Sequence, residues 1–193
     1  MIVLGLDTTG GACSCALVDD SQILAHISEP IGRGHAERLA PMTQALLAAA
    51  AKTVADIDQI AVCTGPGSFT GLRVALAFAK GMALPRRIPV IGLSALHVHA
   101  AALDPEGVKD TTIFTDVRRG EICMQDFKAG QAIGKARTVK REAAHLDGAA
   151  EFSGAIATPI MAWLSMGLSA KDHPAAPLYS RAPDAKLPGG ITP

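Results

Sequence analysis

The chain has 193 residues, with 18 basic and 18 acidic side chains and a formal net charge of zero. Hydrophobic residues make up 49% of it and charged residues 19%, which excludes a disordered protein and suffices for a core without disulfide or metal support. The neutral balance argues against nucleic-acid binding by overall charge. No apolar run reaches the roughly 18 residues of a membrane span, and the amino terminus lacks the basic start of a signal peptide.

Cysteine usage indicates a cytoplasmic protein. The four cysteines are Cys13, Cys15, Cys63 and Cys123, all in apolar stretches and without a C-x-x-C pair. This pattern is typical of small buried side chains rather than of a disulfide framework or a zinc site. His35 is followed one helical turn later by Leu39, so the second histidine of a metal-binding helix is missing. We therefore expect neither a metal nor a cofactor.

The predicted elements start with three strands and then alternate. Apolar runs between turn residues predict strands over residues 2–7, 12–18, 22–28, 59–64 and 89–92. Helical spacing of apolar residues predicts helices over residues 36–51, 72–84 and 94–103. Further strands are predicted over residues 111–116, 121–127 and 137–140, and a helix over residues 159–168. Pro41 is expected in the first turns of its helix, where a missing N–H costs little.

This order predicts an α/β protein in two parts. A complete first lobe with the order βββαβαβα covers residues 1–103, and the pattern restarts with paired strands in a smaller second lobe over residues 104–181. Residues 182–193 are rich in proline and glycine, which is typical of a tail.

Two loops carry residues that suit an anion. Small hydroxyl residues and a glycine in the turn Asp7-Thr8-Thr9-Gly10 could aim backbone N–H groups at a phosphate, although an ordinary hairpin turn explains them as well. The loop over residues 65–71 leads into a helix, whose first N–H groups point into it. This loop lacks the lysine of a P-loop. A helix entry that orients Phe69 and Arg73 is the simpler interpretation.

The first two helices are apolar on nearly every side. In the second helix, one side holds Leu72, Ala75, Leu76, Ala79 and Ala83, and the other holds Val74, Ala77, Phe78 and Met82. Alanines fill much of the side of the first helix that should be polar. A helix on one face of a sheet should keep a polar side, so the second apolar side predicts burial against a partner chain or against another layer of this chain.

One segment is locally basic. Lys128, Lys135, Arg137, Lys140 and Arg141 fall within residues 128–141, which contain no acid. Such a segment could contact a phosphate backbone, or it could be the solvated face of two strands.

Five segments together resemble the TsaB (YeaZ) family. They are Gly5-Leu6-Asp7-Thr8-Thr9, Gly34-His35-Ala36-Glu37-Arg38-Leu39, Gly65-Pro66-Gly67-Ser68-Phe69-Thr70-Gly71-Leu72-Arg73, Gly92-Leu93-Ser94-Ala95-Leu96 and Asp116-Val117-Arg118-Arg119-Gly120-Glu121. Their order and spacing match the family from residue 1 to about 127, and the third segment is highly specific. Pro177-Leu178-Tyr179-Ser180-Arg181 resembles the closing motif of the family.

The resemblance implies an actin-like α/β fold of the Hsp70 and sugar-kinase (ASKHA) type, with a reduced second lobe. It also implies a non-catalytic subunit of the complex that makes N6-threonylcarbamoyladenosine at position 37 of tRNA. The catalytic paralogue, TsaD, binds metal through a His-x-x-x-His helix, and a TsaE-type ATPase completes the complex. Leu39 in place of the second histidine agrees with a chain without that chemistry.

In the family, the first two helices pair with the same helices of the paralogue. The predicted interface residues are His35, Leu39, Met42, Leu46, Ala49, Arg73, Leu76, Ala79, Lys80 and Ala83. Contact with tRNA would be indirect, and the lone chain could form a homodimer through the same helices. Two other functions stay open: a small ATPase or phosphotransferase using Asp7 and residues 8–11, and direct tRNA binding through residues 128–141.

Overall fold

The computed structural model describes residues 1–20, 22–151 and 158–180. The strands are β1 (Val3–Asp7), β2 (Ala12–Val18), β3 (Ile23–Pro30), β4 (Gln59–Cys63), β5 (Val90–Leu93), β6 (Thr111–Asp116), β7 (Glu121–Lys128), β8 (Gln131–Lys140) and β9 (Ala150–Glu151). The helices are α1 (His35–Ala49), α2 (Phe69–Ala83), α3 (Ala95–Leu103) and α4 (Thr158–Ser165). No helix in these ranges has the length and apolar character needed to cross a membrane.

Five strands form the first sheet, in the order β3-β2-β1-β4-β5. Strands β1, β2 and β3 pair antiparallel, whereas β1, β4 and β5 pair parallel. All five residues of β1 and of β4 are buried. Their nearly continuous apolar sequences follow from this, because helices cover both faces of the sheet.

Side chains alternate between the two faces of the first sheet. Leu4 and Val62 face the core that α1 and α2 cover. Val3 and Ala61 face the opposite core, which includes residues of α3, of the second sheet and of α4.

All four cysteines are buried and free, which confirms the prediction that they act as small hydrophobic side chains.

The second sheet repeats the pattern of the first on a smaller scale. Its order is β8-β7-β6-β9, with β6, β7 and β8 antiparallel and β6 and β9 parallel. This corresponds to the order β3-β2-β1-β4 of the first sheet. Two sheets with the same mixed topology form the two-lobed α/β arrangement that the sequence predicts.

The chain returns to the first lobe after the second sheet. Helix α4 packs against β1, β2 and β4, and the Gln59 side-chain amide donates to the backbone oxygen and the hydroxyl of Ser165, both at 2.8 Å. The Trp163 indole N–H donates to the carbonyl of Asp19 at 3.0 Å. Helix α4 lies within the predicted second lobe over residues 104–181, yet it packs on a face of the first sheet. The predicted tail over residues 182–193 lies outside the described residues.

Several predicted boundaries are wrong by a few residues. Helix α2 begins at Phe69 rather than at residue 72, since the Ser68 hydroxyl caps it by accepting from Gly71 N–H at 3.2 Å. Helix α1 begins at His35, so Pro41 lies inside the helix rather than in its first turn. Strand β8 starts six residues before the predicted 137, and the short β9 is absent from the prediction.

The entry to α2 packs directly on the turn that follows β1. Ser68 N–H donates to the carbonyl of Thr9 at 2.7 Å, and the Thr8 hydroxyl donates to the carbonyl of Gly71 at 2.7 Å. A Cβ at Gly71 would lie 1.9 Å from Thr8 O, and one at Gly67 would lie 2.5 Å from Thr9 O. Both glycines are therefore required for the backbones to approach this closely.

We predict opposite effects for two glycine-to-alanine substitutions in α2. Gly71→Ala should lower the free energy of unfolding by about 2 kcal/mol or more, because the new methyl group overlaps the Thr8 carbonyl. Gly81→Ala is the matched control, since a Cβ there meets nothing within 4 Å; it should raise stability by roughly 0.5–1 kcal/mol through helix propensity. Urea denaturation of both variants measures the difference. Equal effects would contradict the proposed close packing.

Candidate interaction surface on helices α1 and α2

The turn predicted to hold a phosphate is occupied by contacts within the chain. Asp7 Oδ1 accepts from both the backbone N–H and the hydroxyl of Thr9, each at 2.7 Å. Thr8 and Thr9 are buried against α2, and Gly10 is half-buried. In this conformation the two hydroxyl groups that a phosphate would need already donate hydrogen bonds within the chain, that of Thr9 to Asp7 and that of Thr8 to the Gly71 carbonyl.

The Asp7 side chain is buried at the end of β1. Burial raises the pKa of its carboxyl, an effect that the two hydrogen bonds from Thr9 and the charge of His35 oppose. Cys63, at the end of β4, has its Sγ 3.5 Å from the Thr9 hydroxyl oxygen. Burial raises the pKa of its thiol well above the usual range, so this cysteine is unsuited to act as a thiolate nucleophile.

His35 opens α1 beside this cluster, and its Nε2 is buried without a hydrogen-bond partner. Leu39, one turn later, is buried in the core. Within the described ranges, no group of three or more His, Cys, Asp or Glu side chains is placed to hold a metal ion.

Helices α1 and α2 keep a second apolar side that the described chain leaves open. On α1 the exposed residues include Ala36, Ala40, Ala45, Ala48 and Ala49. On α2, Ala77 and Gly81 are exposed, and Val74, Phe78 and Met82 are half-buried. These residues form what we call the outer face. No second layer of the described chain covers it, in contrast to the inner sides of both helices.

The structure places most of the predicted interface residues in the core. Six of the ten are buried in the core against the first sheet: Leu39, Met42, Leu46, Leu76, Ala79 and Ala83. These six side chains pack toward the first sheet and are at most 6% exposed, so they offer little area to a partner. Of the other four, Ala49, Arg73 and Lys80 are exposed, and His35 is half-buried.

A groove of about 430 Å³ runs between the two helices on the outer face. Its lining is almost entirely apolar and consists of Ala36, Leu39, Thr70, Arg73, Val74, Ala77 and Phe78. An apolar groove between two helices is the shape that receives the side chains of a third helix.

An aromatic and cationic cluster lies at one end of this groove. The Arg73 guanidinium carbon lies 3.8 Å from the centroid of the Phe69 ring, and the Phe69 and Tyr179 ring centroids are 5.2 Å apart. The Phe69–Arg73 pair has the i, i+4 spacing of neighbours on a helix. The sequence-based prediction puts Phe69 and Arg73 together at the helix entry but places Phe69 in a loop. It does not connect them with Tyr179, because that residue is distant in sequence.

The basic segment over residues 128–141 largely coincides with β8, the edge strand of the second sheet. Three of its five cations pair with acids: Arg137 with Asp126 at 2.7 Å, Lys140 with Glu121 at 3.1 Å, and Arg141 with Glu151 at 3.7 Å. These pairs reduce the positive charge that the segment offers to a phosphate backbone.

We predict a pH-dependent gain in stability for Asp7→Asn. The pKa of Asp7 is raised in the folded chain, so the folded state keeps a proton that the unfolded state releases. Stability therefore falls as pH rises from the unfolded pKa, about 4, through the folded pKa. Asparagine removes this loss, so the melting temperature of the variant should equal that of the wild type near pH 4 and exceed it by a few degrees at neutral pH.

Thermal unfolding between pH 4 and pH 8 tests this, with Asp172→Asn as the control because Asp172 is exposed. The control should leave the pH profile unchanged. Failure of the melting temperature of Asp7→Asn, measured against the wild type, to rise between pH 4 and pH 8 would contradict this prediction.

Comparisons with known proteins identify the family of this chain. A family model described as "TsaD: tRNA N6-adenosine threonylcarbamoyltransferase" matches residues 22–157. The chain is 36% identical over 129 residues to the tRNA threonylcarbamoyladenosine biosynthesis protein TsaB of Escherichia coli, a match that covers 66% of this chain and 55% of that protein. It is also 36% identical over 201 residues to an uncharacterized protein of Mycobacterium tuberculosis H37Rv, covering 95% and 93% of the two chains.

A solved structure extends the similarity over nearly the whole chain. YeaZ from Pseudomonas aeruginosa superposes with a TM-score of 0.76 at 26% identity, over 92% of this chain and 99% of that chain. The mixed topology of both sheets and this similarity confirm the predicted actin-like α/β fold. The chain belongs to the TsaB/YeaZ family, within the wider TsaD family of tRNA threonylcarbamoyladenosine proteins.

Proposed function

We propose that this chain is the non-catalytic, TsaB-type subunit of a complex that makes N6-threonylcarbamoyladenosine at position 37 of tRNA. Its likeness to the E. coli protein named for that biosynthesis supports the pathway. We further propose that it pairs with a TsaD-type paralogue through the outer face, that a TsaE-type ATPase joins this pair, and that tRNA is contacted indirectly through the complex.

The exposed outer face is the observation that carries the proposal. Ala48 and Ala77 face solvent on helices whose opposite sides already fill the core. Small side chains allow two helices to approach closely. A paralogue of the same fold would present its own equivalent pair of helices, and two such pairs would pack as a four-helix bundle.

The buried Asp7 cluster supports a role without catalysis by this chain. The Asp7 carboxyl and the Thr8 and Thr9 side chains are buried and bonded within the chain. A small ATPase or phosphotransferase would need these groups to reach a nucleotide. The ion pairs of β8 likewise give less support to direct tRNA binding. Calorimetry with ATP and Mg²⁺ and salt-dependent tRNA binding on the isolated chain test these two alternatives.

We predict that Ala77→Arg strongly weakens pairing with the paralogue while the chain stays folded. Ala77 is exposed in the free chain, so the arginine costs little stability there. In the complex it would place an unpaired charge in an apolar helix interface, which should weaken binding at least roughly 30-fold. Isothermal titration calorimetry with the TsaD-type paralogue from the same organism measures the affinity, and circular dichroism checks folding.

Ala170→Arg is the matched control, because Ala170 is exposed in the segment that follows α4 and does not line the groove between α1 and α2. It should bind with wild-type affinity. Ala79→Arg is unsuitable, since Ala79 has no exposed surface and the variant would not fold. Unchanged affinity of a folded Ala77→Arg variant would refute pairing through the outer face. Sedimentation of the same variant alone tests whether the free chain forms a homodimer through this face.

A further inference from the structure

The segment that follows α4 is fixed to the first lobe by backbone hydrogen bonds. We call residues 173–180 the return segment. Gly92 N–H donates to the carbonyl of His173 at 2.9 Å, and Leu178 N–H donates to the carbonyl of Thr64 at 2.8 Å. A Cβ at Gly92 would lie 2.5 Å from Pro174 O. The return segment therefore packs closely on β5 and on the end of β4.

This path brings Tyr179 to the start of α2. Arg73 Nε donates to the Tyr179 hydroxyl oxygen at 3.3 Å, while its guanidinium stacks on Phe69. Phe69 is 45% exposed and Tyr179 is 39% exposed. Two aromatic residues thus hold an arginine at the surface in one orientation, with much of their own area still open to a partner.

Arg73 is placed to bind a negatively charged group that does not belong to this chain. Within the described ranges, no carboxylate forms an ion pair with Arg73. Helix α2 itself offers no carboxylate, because Arg73 and Lys80 are its only charged residues. The nearby acid of α1, Glu37, forms no ion pair with Arg73 and has its Oε2 3.7 Å from the position of a Cβ at Gly34. The guanidinium keeps N–H groups for a carboxylate, and the Tyr179 hydroxyl, which accepts from Arg73, still has a proton to donate.

The cluster is continuous with the outer face, since Arg73 also lines the groove between α1 and α2. Lys80 lies two turns further along α2 and is exposed, which places the two cations about 10 Å apart along the axis. On α1, Arg38 pairs with Glu29. The uncompensated positive charge beside the groove therefore comes from α2.

We propose that the return segment is a third part of the docking surface and that Tyr179 and Phe69 hold Arg73 as a carboxylate-binding anchor. The occupant is a helix of the paralogue with an apolar stripe for the groove and acidic residues two turns apart for Arg73 and Lys80. This rests on the function proposed above. Tyr179 is a positioning residue, and Arg73 makes the contact.

Calorimetric titration of the full chain with the TsaD-type paralogue at low and high salt tests the anchor. Arg73→Gln should weaken binding roughly 10-fold to 100-fold and reduce its salt dependence. Arg73→Lys should recover only part of the affinity, because lysine neither stacks on Phe69 nor binds a carboxylate through two N–H groups. Tyr179→Phe should weaken binding less than Tyr179→Ala. Lys171→Gln is the matched control, an exposed charge in the turn after α4.

The outcomes separate the two proposals. If Ala77→Arg abolishes binding while Arg73→Gln and Tyr179→Ala, both folded, bind like the wild type, the anchor is refuted and pairing through the outer face stands. If Ala77→Arg binds normally, the pairing itself is refuted. Loss of affinity in Arg73→Gln without a change in salt dependence would also overturn the anchor, because a contact with a carboxylate must weaken as salt rises.

Discussion

Helix α2 is positioned by a contact between two backbones that has no room for a side chain. Gly67 and Gly71 lie against the carbonyls of Thr9 and Thr8, and hydrogen bonds close the contact from both directions. This contact fixes the residue at which α2 begins. Since each residue turns a helix by about 100°, it also fixes which side chains enter the core and which face outward.

The inner side of α1 carries large apolar side chains, whereas its exposed side combines alanines with Glu37, Arg38 and Gln44. Leucine and methionine fill the inner side of α1, and alanine is the commonest residue of its outer face. On α2 the inner side combines Leu72 and Leu76 with small residues. A leucine buries far more apolar area than an alanine, so the large side chains hold the chain together. The exposed alanines cost little in water. A chain built in this way can remain folded while it still offers apolar area to a partner helix.

The sequence predicted the elements well because apolar periodicity and turn residues report local structure. It also indicated that both helices have two apolar sides. It does not say which side faces the sheet, and the predicted interface therefore includes Leu39, Met42 and Leu46, which the structure places in the core. The packing of α4 on the first sheet and the position of Tyr179 beside Arg73 could not be predicted for another reason. They depend on contacts such as Gln59 with Ser165, and nothing in the local pattern around either residue indicates its partner.

Those distant contacts also set an order of events during synthesis. Gln59 and Ser165 lie 106 positions apart, as do Arg73 and Tyr179. A ribosome adding about 5–20 residues per second needs several seconds to cover that interval. Until then the nascent first sheet lacks the helix that covers one of its faces, and chaperones have time to bind it. Tyr179 emerges 106 residues after Arg73, so the contact between them beside α2 forms only after that interval. A partner contact that requires Tyr179 could therefore form only after residue 179 has left the ribosome.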